Sequence, residues 1–125
     1  QGVVPAFLAR ALRNEPLDIW GDGSTVRDFL YISDVVNALL AVANYEGPER
    51  VFNVGSGQGT SLNELVQLIE KELGCSLAVS YKQSRGFDVP TNVLSIDATR
   101  RYLNWSPSVS VTEGLHRFHQ SLRTL

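Results

Sequence analysis

Helical and strand periods alternate along this chain, and the strand stretches are short. Apolar side chains at Val4, Phe7, Leu8, Ala11 and Leu12 follow the i, i+3, i+4, i+7, i+8 spacing of one helical face over residues 3–13. Pro5 suits a first turn, and Pro16 biases Glu15 away from the helical region, so this helix stops by Asn14. Leu17–Trp20 reads as a strand ended by the turn Gly21-Asp22-Gly23-Ser24, and Arg27–Tyr31 as a second strand or extended segment. Ser33 or Asp34 then caps a helix over 34–44, with Val35, Ala38, Leu39 and Val42 inward. Val51–Val54 reads as a strand running into Gly55-Ser56-Gly57-Gln58-Gly59.

The second half repeats the pattern. Ser61 and Glu64 have the spacing of a capping box, and the helix they open ends at Leu73 with Gly74 beyond it. Leu77–Tyr81 alternates like a strand, and Lys82–Asn92 reads as a polar loop. Asp97 caps a short helix to Leu103, and Ser110 with Glu113 opens a last helix whose inner face is Leu115, Phe118 and Leu122. Helices alternating with short strands give an α/β chain, of α+β small-lobe type. The strands are too few for a complete doubly wound sheet.

Composition excludes several classes of function. Eleven Lys+Arg against thirteen Asp+Glu leave a formal charge of −2, so the basic footprint of a nucleic-acid binder is missing. No apolar run approaches the roughly 18–20 residues that a membrane span needs. One cysteine, Cys75, rules out an internal disulfide framework and a Cys-rich zinc site; it reads as a small buried residue. His116 and His119 read as a solvated or satisfied pair, not as metal ligands, and Trp105 as packing. The chain contains no methionine and begins with Gln1, which suggests a piece of a larger, cytoplasmic protein.

Three features carry candidate chemistry. The strand–Gly-x-Gly–helix order at 51–60 imitates a dinucleotide site, but Thr60 stands where the third glycine belongs. The following strand ends at Tyr81-Lys82 instead of an acidic residue, so the loop reads as a tight structural turn. Arg27 and Arg85 each lie in a glycine-containing loop beside an aromatic and a carboxylate. They either clamp a diphosphate or pair on the surface with Asp28 and Asp88. Trp20, at a strand end, either anchors the core or offers a face to a base.

Together the motifs resemble a family. Residues 21–35, Gly-Asp-Gly-Ser-Thr-Val-Arg-Asp-Phe-Leu-Tyr-Ile-Ser-Asp-Val, resemble the G-D-G-x-x-x-R-D-F/Y-I/L segment of extended short-chain dehydrogenases/reductases. These are the NAD-dependent nucleotide-sugar epimerases and dehydratases, such as the UDP-glucose 4-epimerase family. Val51-Phe52-Asn53-Val54-Gly55-Ser56-Gly57, Arg85-Gly86-Phe87-Asp88-Val89-Pro90 and Asp97 through Trp105 resemble three further family motifs in order, with Asn104 in place of the commoner glycine. The resemblance implies that Arg27 and Arg85 contact a substrate diphosphate. It implies that Asp88 holds the ribose or orients Arg85, and that Trp20 lies beside the base with Asp18 and Ile19 on the same strand. Pro5 resembles the start of a helix lining the nucleotide pocket, although the asparagine usual before it is missing from Gln1-Gly2-Val3-Val4.

The family's dinucleotide-binding motif and its Tyr-x-x-x-Lys pair are absent: four residues after Tyr31, Tyr45, Tyr81 and Tyr102 stand Val35, Glu49, Arg85 and Ser106. The resemblance therefore implies a C-terminal nucleotide-sugar-binding domain over 1–125, lacking its N-terminal Rossmann domain. NAD belongs to the full-length enzyme, and none is expected to bind to this chain, which is inactive alone. An apolar face left bare by the missing domain is a further expectation. The alternative is a standalone, non-catalytic nucleotide-sugar-binding or interaction module.

Overall fold

The computed structural model describes residues 2–123. In chain order it contains α1 (Val3–Leu12), β1 (Leu17–Trp20), β2 (Val26–Asp28), α2 (Ile32–Ala43), β3 (Gly59–Ser61), α3 (Leu62–Leu73), β4 (Val79–Lys82), β5 (Thr91–Asn92), α4 (Asp97–Leu103) and α5 (Val111–Arg123). This is the mixed architecture that the alternating periods predict. The strands form two small sheets. β1 pairs in parallel with β4, Leu17 opposite Val79 and Trp20 opposite Lys82. β2 lies between antiparallel β3 and parallel β5.

One core gathers Phe7, Leu8 and Ala11 of α1, Leu17 and Ile19 of β1, Leu65, Val66 and Ile69 of α3, and Leu115 of α5. A second, smaller one joins Ala38 of α2 to Ile96 and Trp105. The best-specified helix is α3. The Ser61 hydroxyl accepts from the Glu64 N–H at 3.1 Å and the Glu64 carboxylate accepts from the Ser61 N–H at 2.7 Å, satisfying two orphan donors of the first turn. At the other end Gly74 takes the left-handed conformation, with φ 66.

Several local expectations change. Val51–Val54 joins no strand among the described residues; Asn53 instead bonds through its side chain to the Ser95 carbonyl and accepts from the Thr99 hydroxyl. β2 is shorter than the expected Arg27–Tyr31 extension, and β5 forms inside the expected loop. Neither Ser33 nor Asp34 caps α2, whose N-cap is Tyr31. Of the four residues expected inward on α2, only Ala38 is buried, and Leu39 and Val42 are exposed. The buried edge is set by Asp34 and Ala38, because the Asp34 carboxylate is bonded to Ser108 and Val109. Asp97 begins α4 but does not cap it, and Leu122 is exposed. Ser110 caps the Glu113 N–H at 3.2 Å, while the Glu113 carboxylate accepts from Arg117. Cys75 is exposed, not buried, since it follows the chain reversal at Gly74. Trp105 packs in the core as expected, with its indole N–H donating to the Asp34 carbonyl at 3.1 Å.

Candidate functional site

The turn after β1 is fixed before any ligand arrives. Gly21 and Gly23 adopt φ 90 and 80, a region that glycine enters without steric cost. The Asp22 carboxylate accepts from the Ser24 N–H at 2.9 Å. The Asn63 side chain donates to the Asp22 carbonyl at 2.9 Å and accepts from the Tyr81 hydroxyl at 2.9 Å, pinning the turn to α3 and β4.

Alternation along β1 decides which side chains the strand offers. Leu17 and Ile19 point into the core, and Asp18 and Trp20 lie on the other face. Ile19 is 1% exposed, so its side chain is unavailable to a ligand. The Asp18 carboxylate is held by Arg10 at 2.9 Å and Lys82 at 3.6 Å. Trp20 ends the strand 47% exposed and is not a core anchor.

β2 carries Arg27 beneath the loop 83–90. The Val26 N–H donates to the Pro90 carbonyl at 2.8 Å. Arg27 Nη1 donates to the carbonyls of Val26 at 2.8 Å and Val89 at 2.7 Å. Among the described residues Arg27 has no ion-pair partner, so its charge and its Nε and Nη2 donors remain for a ligand. The surface pairing with Asp28 does not form. Within the loop, Arg85 Nε donates to Asp88 Oδ2 at 3.1 Å, and the Asp88 N–H donates to the Arg85 carbonyl at 3.0 Å. The Arg85 guanidinium carbon lies 5.4 Å from the centroid of the Trp20 ring.

One loop thus gathers Arg27, Arg85, Asp88 and Trp20, with Asp18 close behind on β1. Pro5 stands apart, lining an open apolar cavity of about 760 Å³ with Phe29, Leu115 and Phe118, and none of those four residues lines it. Phe87, which the sequence shows only as an aromatic neighbour, is part of the cluster: the Arg85 guanidinium carbon is 5.5 Å from its ring. The same guanidinium reaches the Trp20 ring as well only because loop 83–90 meets the end of β1.

The glycine loop is committed elsewhere. The Asp28 carboxylate accepts from the N–H groups of Ser56 at 2.7 Å, Gly57 at 3.1 Å and Leu94 at 3.2 Å, and from the Ser56 hydroxyl. Burial opposes ionisation of Asp28, but these bonds outweigh it and hold the carboxyl below its ordinary value. A loop whose amides already bind a carboxylate does not fit a dinucleotide pyrophosphate, and the negative charge would repel one. On α5, His116 and His119 face Glu72 at 3.1 and 2.7 Å through Nδ1, a satisfied pair as expected. The His119 hydrogen bond is the first cause holding the Glu72 carboxyl low.

The NAD dependent epimerase/dehydratase family model matches residues 1–55. The chain is 33% identical over 123 residues to dTDP-4-dehydro-6-deoxyglucose reductase of Escherichia coli, covering 98% of this chain and 39% of that protein. It is 31% identical over 123 residues to UDP-glucuronic acid decarboxylase 1 of Arabidopsis thaliana, covering 97% of this chain and 28% of that one. Among solved structures, UDP-glucose 4-epimerase of Thermotoga maritima with UDP-glucose superposes with a TM-score of 0.92 at 39% identity, covering 98% of this chain and 40% of that one. The chain therefore spans well under half the length of these relatives, and it covers their C-terminal part.

Proposed function

We propose that the chain binds the nucleotide end of a nucleotide-diphosphate sugar, because the NAD dependent epimerase/dehydratase family model matches residues 1–55 and the chain covers the C-terminal part of larger relatives. In this reading residues 1–125 are the substrate-binding domain of an NAD-dependent sugar epimerase or dehydratase of the cytoplasm. A dinucleotide-binding domain supplied by the rest of such a protein completes the enzyme. The observation that carries the reading is the gathering of Arg27, Arg85, Asp88 and Trp20 around one loop, with Arg27 held at 2.7 Å on the Val89 carbonyl and its charge unpaired among the described residues. Arg27 and Arg85 grip the diphosphate, Asp88 orients Arg85 or takes the ribose, and Trp20 faces the base. Ile19 and Asp18 contribute through the β1 backbone, since one side chain is buried and the other is ion-paired.

The diphosphate does not react. Binding energy from such a remote group orients the sugar at the reacting centre. NAD, when bound, accepts and returns the hydride. The glycine loop of this chain does not fit it, so NAD belongs to the completing domain. With no Tyr-x-x-x-Lys pair among its tyrosines, the chain alone transfers no hydride. Uracil is the base we favour, as in the UDP-glucose of the Thermotoga structure; the dTDP-sugar of the E. coli relative's name is the other candidate.

Arg27→Ala and Arg85→Ala test the reading by titration calorimetry with UDP-glucose. Charge-assisted hydrogen bonds contribute about 1.5–3 kcal/mol each, so each variant loses roughly tenfold or more in affinity. If both variants bind UDP-glucose and a dTDP-sugar as the unaltered chain does, there is no diphosphate clamp.

A further inference from the structure

We propose that Phe87 is the second wall of the base site: the base enters between Trp20 and Phe87, where the Arg85 guanidinium now lies, as Arg85 moves onto the phosphates. This rests on the nucleotide reading above and adds a positioning residue to it. The guanidinium carbon of Arg85 is 5.4 Å from the Trp20 centroid and 5.5 Å from the Phe87 centroid, so one planar cation lies over two rings from separate elements. A guanidinium and a nucleobase are both flat and delocalised, and both stack on aromatic faces. A guest of the right shape therefore already lies across both rings.

Packing does not account for Phe87. It is 79% exposed, and its neighbour Val89 is 57% exposed, so neither ring nor branch is anchored in a core. Trp20 is half exposed beside them. The contact that restrains Arg85 is an exposed i,i+3 pair with Asp88, a class of ion pair that holds weakly. The loop does not need that pair to keep its turn, because the Asp88 N–H is bonded to the Arg85 carbonyl at 3.0 Å and Arg27 ties the Val89 carbonyl to β2. Arg85 can leave by changing its side-chain rotamer alone. One movement uncovers both rings and delivers a cation to the phosphates, so base and diphosphate binding are coupled.

The test compares UDP with inorganic pyrophosphate, which carries no base, on the chain, Phe87→Ala and Phe87→Tyr. Stacking on one aromatic side chain predicts that Phe87→Ala weakens UDP about tenfold without weakening pyrophosphate, which draws Arg85 off the ring, and that Phe87→Tyr restores UDP binding. The melting temperature stays unchanged because the ring is so exposed. If Phe87→Ala binds UDP normally while Arg27→Ala does not, the slot is wrong and the nucleotide reading stands. Equal losses of UDP and pyrophosphate also overturn the slot, because Phe87 then acts only through Arg85. If the unaltered chain binds neither probe, both readings fall together.

Discussion

Asp34 is 1% exposed, and its carboxylate does the work of a structural joint. It accepts from the Ser108 hydroxyl at 2.7 Å and from the N–H groups of Ser108 at 3.0 Å and Val109 at 2.9 Å, fixing the segment that leads into α5. Burial works against its ionisation, but those bonds and the charge of Arg117 prevail and hold it below the ordinary carboxylate value. A depressed folded-state pKa gives stability that is fully present above the unfolded value, about 3.9, and lost as pH falls through the folded value. Asp34→Asn keeps an amide oxygen for the Ser108 and Val109 N–H groups, which share Oδ2, and turns its N–H₂ to the Ser108 hydroxyl, but it loses the charge that strengthens these bonds, so it destabilises the chain by about 1–2 kcal/mol at neutral pH. Urea unfolding at pH 7 and again at pH 3 checks this: the gap between variant and parent narrows at the lower pH. An unchanged gap would mean that shape, not charge, matters at this position. The sequence displays Asp34 as an N-cap candidate because a cap is a local event, whereas its true partners lie 74 and 75 residues away.

Elements whose signals are local were legible in advance, and α3 is the clearest. Ser61, Glu64, the apolar face and Gly74 all belong to one stretch of chain, and the structure keeps each in its expected role. Ser61→Ala removes the hydroxyl acceptor and costs about 1 kcal/mol, readable as a lower thermal midpoint with ligand affinity unchanged. Strands were less legible, because a strand exists only through its partner. Val51–Val54 has strand-like residues but no ladder among the described ones, while Thr91–Asn92 has no strand signature yet pairs with β2. The candidate site divides along the same line. Arg27, Arg85 and Asp88 stand out as candidates through motifs that each occupy a few consecutive residues. The contact of Arg85 with Trp20, and the capture of Asp18 by Arg10 and Lys82, depend on β1 meeting loop 83–90, α1 and β4.

At the scale of the whole molecule the two cores leave one side of α2 bare. Ile32, Val36, Leu39 and Leu40 recur at the spacing of a single helical face and are 64%, 47%, 62% and 58% exposed. The opposite edge, Asp34 and Ala38, is buried, so the helix is seated and its apolar outer face is not a consequence of fraying. A net charge of only −2 gives little repulsion between copies. Contiguous apolar surface on a chain of this size drives association when nothing covers it. The chain by itself is therefore expected to self-associate as its concentration rises, measured by light scattering on a sizing column. Leu39→Glu together with Leu40→Lys leaves the net charge unchanged, suits an exposed helix and removes two of the largest contributors, so the double variant stays monomeric over the same range. On the nucleotide reading proposed above, its affinity for UDP-glucose matches that of the parent, because no residue of the α2 face belongs to the cluster around loop 83–90. If the double variant associates as the parent does, another surface is responsible. If it loses nucleotide affinity, the α2 face and the loop are energetically linked despite their separation.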